Sequence, residues 1–132
     1  MILTLFTVVT LLSNFSVAYA AYGLWYTTGS VQCNMPDGSN AMARVKVYLL
    51  KKQTFLLPFG YFELICSWNN TATQTVITTT KPTNWKIEWT FLNDDGYVAC
   101  RAYDDGSGFP AKVPTPGCDP YEATVSINAP TH

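Results

Sequence analysis

Histidine is almost missing from this sequence, since the 132 residues contain only His132. The cysteines show no CxxC spacing, and no serine stands in a G-x-S-x-G context. Zinc sites need closely spaced Cys and His ligands, and a catalytic triad needs a positioned base. Glu63 and Glu88 both fall at outward positions of alternating segments, where carboxylates are solvated. We therefore expect no enzyme activity, no metal and no cofactor.

Charge is also scarce. Only 13% of the residues are charged, the formal net charge is −1, and acidic and basic residues are interspersed. Binding to nucleic acid or to anionic lipid needs a concentrated basic surface, so neither partner is expected. Aromatic residues make up 14% and hydrophobic residues 48% of the chain, which favours a packed core over disorder.

Long apolar runs are confined to the N-terminus. Residues 1–20 contain an apolar stretch of about a dozen residues and end in Ala18-Tyr19-Ala20, the small-x-small pattern of a signal-peptidase site. Later apolar runs are interrupted by charge or proline, so no transmembrane segment is predicted. The interpretation is a signal peptide over 1–20 and a single secreted, extracellular domain over 21–132.

Four cysteines remain in that domain, and an even number in an oxidising compartment predicts two disulfides. Prolines crowd the segment that precedes Cys118, so this segment needs an anchor other than a sheet. That argument pairs Cys100 with Cys118 and leaves Cys33 for Cys66. The alternative, an immunoglobulin-like arrangement, joins Cys33 to Cys100 and Cys66 to Cys118.

Period-two alternation of apolar and polar residues runs through most of the domain and predicts about seven short strands. They cover residues 29–33, 43–50, 61–68, 73–80, 84–92, 97–103 and 121–128. The strand over 73–80 is polar and suits a sheet edge. We expect one buried face to contain the apolar residues Val45, Val47, Leu49, Trp85, Ile87, Trp89 and Phe91. The fold class is all-β: a small disulfide-stapled β-sandwich, prealbumin-like or immunoglobulin-like.

Turn residues separate these strands. Residues 34–40, with Pro36 and the Asp37-Gly38 pair, are predicted to connect a first hairpin. The repeats at 94–96 and 104–106, each Asp-Asp-Gly, lack the ligand spacing of a calcium loop and are interpreted as turns. Four prolines and three glycines in 104–120 argue against a central strand there.

Several motifs resemble the nematode-type transthyretin-like family of small secreted proteins. The run Gly29-Ser30-Val31-x-Cys33-Asn34, followed by Ala43-x-Val45-Lys46-Val47-Tyr48-Leu49, is similar to that family's first two strands. Gly60-Tyr61-Phe62-Glu63-Leu64 is similar to its third strand. Further matches are Pro82 with Trp85, Ile87 and Trp89, then Cys100-Arg101 and Pro114. The resemblance implies a prealbumin-like sandwich. One fragment favours the immunoglobulin-like alternative. Asp94-x-Gly96 before Cys100 is similar to the tyrosine-corner motif of that fold, but Val98 stands where the motif has its tyrosine.

Two further features are candidate sites. Trp25 and Trp68 stand at the ends of segments and could together form a platform on which sugar rings stack. Asn69, in Asn69-Asn70-Thr71, is a candidate glycosylation site. The predicted function is a secreted, non-catalytic binding protein that recognises an extracellular or cell-surface ligand or protein. Alternatives are a carbohydrate- or lipid-surface-binding module, or a structural or effector-like secreted protein.

Overall fold

β-Strands account for most of the residues that the computed structural model describes, which are 23–36, 41–52, 58–68 and 70–132. In chain order they are β1 (Trp25–Asn34), β2 (Met42–Leu50), β3 (Gly60–Ser67), β4 (Thr71–Thr78), β5 (Asn84–Leu92), β6 (Val98–Ser107), β7 (Ala111–Pro114) and β8 (Glu122–Ile127). The described residues thus form eight strands, where the sequence predicted about seven.

The strands form two antiparallel four-stranded sheets. Sheet I has the order β4-β1-β8-β7, and sheet II has the order β3-β2-β5-β6. Each sheet turns one face toward the other and one toward solvent, which is why most strands alternate between buried and exposed residues. The predicted all-β, disulfide-stapled sandwich is confirmed.

The core lies between the two inner faces. In sheet II, Val45 pairs with Trp89 and Val47 with Ile87 across the β2–β5 ladder, and all four are buried. The predicted buried face is confirmed in full, because each of its seven residues is buried. Sheet I contributes Val31, Val125 and Ile127, among others, to the same hydrophobic cluster.

The prediction of a first hairpin is wrong. β1 pairs with β4 and β8, whereas β2 pairs with β3 and β5, so the connection after β1 crosses from one sheet to the other. Most of that connection, residues 37–40, lies outside the described residues. Alternation identifies which side of a strand is buried, but it does not identify the neighbouring strand.

The segment 104–120 contains more strand than predicted. β6 continues to Ser107, so the sequence Asp104-Asp105-Gly106 is extended and pairs with β5 instead of forming a turn. β7 (Ala111–Pro114) follows it. β7 lies at the edge of sheet I and ends on a proline. Proline is not expected in a central strand, because it has no backbone N–H to donate. The first Asp-Asp-Gly repeat does form the predicted turn, because the Asn93 N–H donates to the Tyr97 carbonyl at 2.8 Å.

The predicted polar edge strand is confirmed as β4, which forms one edge of sheet I beside β1. One of its outward threonines contacts a hydroxyl of β1, since the Oγ1 atoms of Thr28 and Thr75 are 2.8 Å apart. Polar side chains on an exposed edge discourage pairing with another chain.

Two disulfides close the sandwich at one end. They join Cys33 to Cys66 and Cys100 to Cys118, the pairing favoured by the sequence over the immunoglobulin-like alternative. The first bridge links β1 of sheet I to β3 of sheet II, and the second links β6 to the β7–β8 connection. We call this end the disulfide pole, and the other end the opposite pole.

Candidate functional site

The outer face of sheet II combines aromatic and charged side chains. Across the ladders that join β3, β2 and β5, outward residues stand opposite one another. Lys46 lies between Glu63 of β3 and Glu88 of β5, and Tyr48 lies between Tyr61 and Lys86. The centre of this face is therefore a mixed array of phenols, carboxylates and ammonium groups.

Three polar contacts connect side chains of this array. The Tyr48 hydroxyl donates to Glu88 Oε2 at 3.3 Å, and the Tyr61 hydroxyl donates to Glu63 Oε2 at 3.4 Å. The other oxygen of Glu63 lies 3.5 Å from Arg44 Nε. The two phenol rings are 5.3 Å apart, within the range of a favourable aromatic pair.

The same contacts affect the tyrosines. Burial raises the pKa of the Tyr48 phenol above its ordinary value of 10.0, and the charge and hydrogen bond of Glu88 raise it further. Burial also raises the pKa of Tyr61, with Glu63 as its next largest cause. The raised pKa keeps both phenols neutral, and able to donate hydrogen bonds, to a higher pH than a free tyrosine.

Apolar side chains gather on this face near the disulfide pole. We call this set the apolar patch; it consists of Met42, Ile65, Leu92 and Val98. Leu92 pairs with Met42 on one side and with Val98 on the other, and Ile65 is the diagonal neighbour of Met42 on β3. Met42, Ile65 and Val98 are 40%, 50% and 47% exposed. Exposed apolar residues that the strand register groups in this way are candidates for an interaction surface.

Two exposed aromatic residues border the apolar patch at the pole itself. Trp68 follows β3 and Tyr97 precedes β6. On the side away from the pole, Arg44 and Arg101 stand opposite Ile65 and Thr90 of the neighbouring strands. Tryptophan, tyrosine and arginine are the residues that most often dominate binding energy at protein interfaces.

The predicted sugar platform is divided by the fold. Trp25 begins β1, whereas Trp68 lies near the far end of β1, where the Cys33 N–H donates to the Asn70 carbonyl. Seven to eight residues of extended strand separate the two ends, or about 25 Å. Trp25 and Trp68 therefore lie at opposite poles and cannot stack on one sugar.

Trp25 is instead occupied by contacts within the chain. The His132 ring lies against it with centroids 3.5 Å apart, and Lys81 Nζ lies 5.2 Å from the indole centroid. Backbone hydrogen bonds between Tyr26 and Thr131 hold the last residues beside β1. Trp25 thus fastens the C-terminal residues to sheet I.

The sequence also offered a candidate glycosylation site. Asn69 lies outside the described residues. Among the residues that the structure describes, no three His, Cys, Asp or Glu side chains are grouped to hold a metal ion.

The apolar patch was not predicted from the sequence. A signal was available, because Met42 and Ile65 are apolar residues in the outward phase of alternating strands. Taken singly, such residues are common on protein surfaces and carry no meaning. Only the strand register brings them together with Leu92 and Val98.

By its fold and this face, the chain belongs structurally to the small disulfide-bonded β-sandwiches. No family model and no curated protein matches its sequence. Within the described ranges, no helix is long and apolar enough to span a membrane. The two disulfides are compatible with an extracellular protein.

Proposed function

We propose that this protein is secreted and acts by binding, without catalysis, an extracellular or cell-surface protein through the outer face of sheet II. The observation that carries the proposal is the apolar patch, bordered by Trp68 and Tyr97 and flanked by arginines. Burying these side chains against a partner would remove apolar surface from water, and the rim would supply hydrogen bonds.

A protein partner suits the patch better than a lipid surface does. Asp94 and Asp95 stand in the turn that leads to Tyr97 and Val98, so their charges would approach the headgroups together with the apolar side chains. Anionic leaflets attract clusters of lysine and arginine and repel carboxylates. Mixed charge around an apolar centre is the usual composition of a protein interface.

The proposal also includes secretion and a relationship to a known family. Residues 1–20 would be removed as a signal peptide, leaving a mature chain that begins at Ala21; N-terminal sequencing of material from the culture medium tests this. The resemblance of the β1, β2 and β3 sequences to the nematode-type transthyretin-like family supports descent from that group. Finding sequences intermediate between the two would test the relationship.

The patch is tested with two matched isoleucines on edge strands. Ile65 on β3 belongs to the apolar patch, whereas Ile77 on β4 is similarly exposed, at 55%, on the outer face of sheet I. A photoreactive residue at position 65 should crosslink a discrete protein from extracellular fluid, and the same residue at position 77 should not. With the crosslinked protein purified, Ile65→Glu should weaken binding about thirtyfold, the loss expected at a binding hot spot.

The control variant is Ile77→Glu, which should bind like the unmodified protein. Equal crosslinking at both positions, or full binding by Ile65→Glu, would contradict the proposal. Sedimentation with vesicles of phosphatidylcholine and phosphatidylserine tests the lipid alternative. Binding to these vesicles that depends on Ile65 would indicate that the partner is a membrane and not a protein.

A further inference from the structure

β6 is the longest of the four strands that form the edges of the two sheets. It pairs with β5 on one side, and no described strand pairs with it on the other. An open edge of this kind leaves a row of backbone N–H and C=O groups available to another chain. By contrast β7, the edge of sheet I that follows it, has only four residues and ends on a proline. β6 therefore offers the longest edge for pairing with a further strand.

The hydrogen bonds at the end of β6 show which of its backbone groups face this edge. The Gly108 N–H donates to the Thr83 carbonyl at 3.0 Å, in line with the β5–β6 ladder. Hydrogen-bonded pairs alternate along an antiparallel ladder, so the odd-numbered residues from 101 to 107 direct their backbone groups away from β5. The backbone groups of Tyr103 make no hydrogen bond within the described ranges, and the Asp105 N–H donates to Asp104 Oδ1 at 2.9 Å.

The side chains of the same odd-numbered residues form a symmetrical series. Arg101, Tyr103 and Asp105 are exposed and stand opposite outward residues of β5. Arg101 and Asp105 lie two residues to either side of Tyr103, carry opposite charges, and make no ion pair with the residues that the structure describes. Charges of one sign on an edge strand oppose pairing with a like strand. This series is instead complementary to a second copy that runs in the opposite direction.

The charges also distinguish between the possible registers of two antiparallel β6 strands. A two-fold axis at Tyr103 places each Arg101 opposite Asp105 of the second copy and sets the two Tyr103 residues side by side. An axis at Arg101 or at Asp105 would place like charges opposite each other, which is destabilising. An axis one residue to either side of Tyr103 would set that ring opposite one of the charges and leave the other charge unpaired. The register centred on Tyr103 is therefore the most favourable.

We propose that this protein forms a dimer with a second copy of itself by pairing β6 with β6 about a two-fold axis at Tyr103. The two Tyr103 residues exchange backbone hydrogen bonds, as does each Arg101 with Asp105 of the second copy. To pair in this way, the Asp105 N–H exchanges its contact with Asp104 for the Arg101 carbonyl. Because both copies use the same edge, the assembly closes at two chains.

The dimer is a separate inference from the proposed binding of a partner through the apolar patch. Pairing at β6 joins the two copies of sheet II into one continuous sheet, with both outer faces on the same side. The two apolar patches therefore face in the same direction. Two linked sites on one assembly increase the avidity for a partner that is presented in several copies.

Charge reversal tests the register. Arg101→Asp alone and Asp105→Arg alone each place like charges opposite each other, and each should weaken self-association more than about tenfold in sedimentation analysis. An equimolar mixture of these two variants should form a heterodimer, because two carboxylates then meet two guanidinium groups. The variant that carries both changes should dimerise again. Lys112→Asp on β7 and Asp95→Arg in the β5–β6 turn are the matched controls and should dimerise like the unmodified protein.

NMR observes the contact directly, in a mixture of ¹³C-labelled and unlabelled mature protein with both disulfides intact. An NOE should join Hα of Ala102 in one copy to Hα of Asp104 in the other. This non-hydrogen-bonded pair brings the two Cα atoms to about 4.5 Å. The Tyr103 amide should exchange with solvent rapidly in dilute protein and slowly in concentrated protein, because only the dimer gives it an acceptor.

The proposal is overturned if the protein stays monomeric at its highest attainable concentration, or if both single charge variants retain the dimer. Assemblies larger than two chains would also overturn it, because the paired edge is then not closed. Ile65→Glu, the variant that tests the apolar patch, should dimerise normally, so failure of the dimer and failure of the proposed function are separate results. Loss of the dimer in Ile65→Glu would place the contact at the apolar patch and overturn the β6 pairing.

Discussion

At the scale of single residues, Trp89 is the largest fully buried side chain among the residues that the structure describes. It is one of four tryptophans, is only 1% exposed, and stands opposite Val45 and Ala102 on its two neighbouring strands. Its indole N–H makes no hydrogen bond to the described residues, so its contribution comes from packing rather than polar contacts.

Trp89→Ala should therefore lower the free energy of unfolding by about 3–5 kcal/mol, through lost burial and the cavity left behind. The matched change Trp68→Ala, at a side chain that is 41% exposed, should cost less than about 1 kcal/mol. Urea denaturation followed by circular dichroism measures both. Equal losses for the two variants would mean that the buried face is not the one described.

Tyr48 provides a pH-dependent prediction at the same scale. Burial first, and then the Glu88 carboxylate, raise its pKa above 10.0. A group whose pKa is raised by folding contributes stability that is complete below its unfolded pKa and is lost as the pH rises through the folded pKa. The stability supplied by the Tyr48 contact should thus persist to about pH 10 and decline above it.

Glu88→Gln should lower the pKa of Tyr48 while leaving it above the ordinary value, because burial remains. Glu63→Gln should change it less, since Glu63 is the smallest of the four causes. An NMR titration of the tyrosine ring carbons follows each phenol separately. Titration of Tyr48 at or below the ordinary value in the unmodified protein would contradict the hydrogen bond to Glu88.

At the scale of elements, β6 is shaped by the side chain that passes beneath it. A Cβ atom added at Gly106 would lie 2.8 Å from Cη2 of Trp85 and closer still to Cζ2. The indole is rigid and buried, so it cannot move aside without disturbing the end of β5. Glycine is required here for close approach, although it is otherwise a weak strand former.

Gly106→Ala should accordingly destabilise the protein by about 1–3 kcal/mol, the usual cost of overpacking a core. Gly29→Ala is the matched control in β1, because its added Cβ would lie 3.4 Å from the Phe62 ring, near ordinary contact distance. Its loss should be clearly smaller in the same denaturation experiment. An unchanged stability for Gly106→Ala would show that Trp85 does not pass beneath β6.

At the scale of the whole molecule, the two disulfides differ in access. Cys33 and Cys66 are buried between the sheets, at 0% and 1% exposure, whereas Cys100 is only half-buried on the edge strand β6. Thiol–disulfide exchange requires a reductant to reach a sulfur atom. The Cys100–Cys118 bridge should therefore open first.

Partial reduction of the native protein, followed by alkylation and peptide mass spectrometry, should label Cys100 and Cys118 before the other pair. Replacing both of these cysteines by alanine should cost roughly 3 kcal/mol in the chain-entropy account, for a sequence separation of 18. Earlier labelling of Cys33 and Cys66 would show that the inter-sheet bridge is the accessible one.

Much of this fold follows from the sequence because the pleat of a strand is a local property. Successive side chains point to opposite faces, so the alternation over 84–92 was sufficient to identify Trp85, Ile87, Trp89 and Phe91 as core. The crowding of prolines before Cys118 was likewise a local signal, and it favoured the observed cysteine pairing.

Only the tertiary structure decided which strands are neighbours. β1 pairs with β4 and β8 rather than with β2, and the short β7 forms because β8 offers it a free side. These pairings depend on contacts between residues far apart in the chain. A local sequence pattern does not predict the energies of such contacts. The apolar patch draws its residues from β2, β3, β5 and β6. These residues could be recognised singly in the sequence, but their proximity is a consequence of strand order and register.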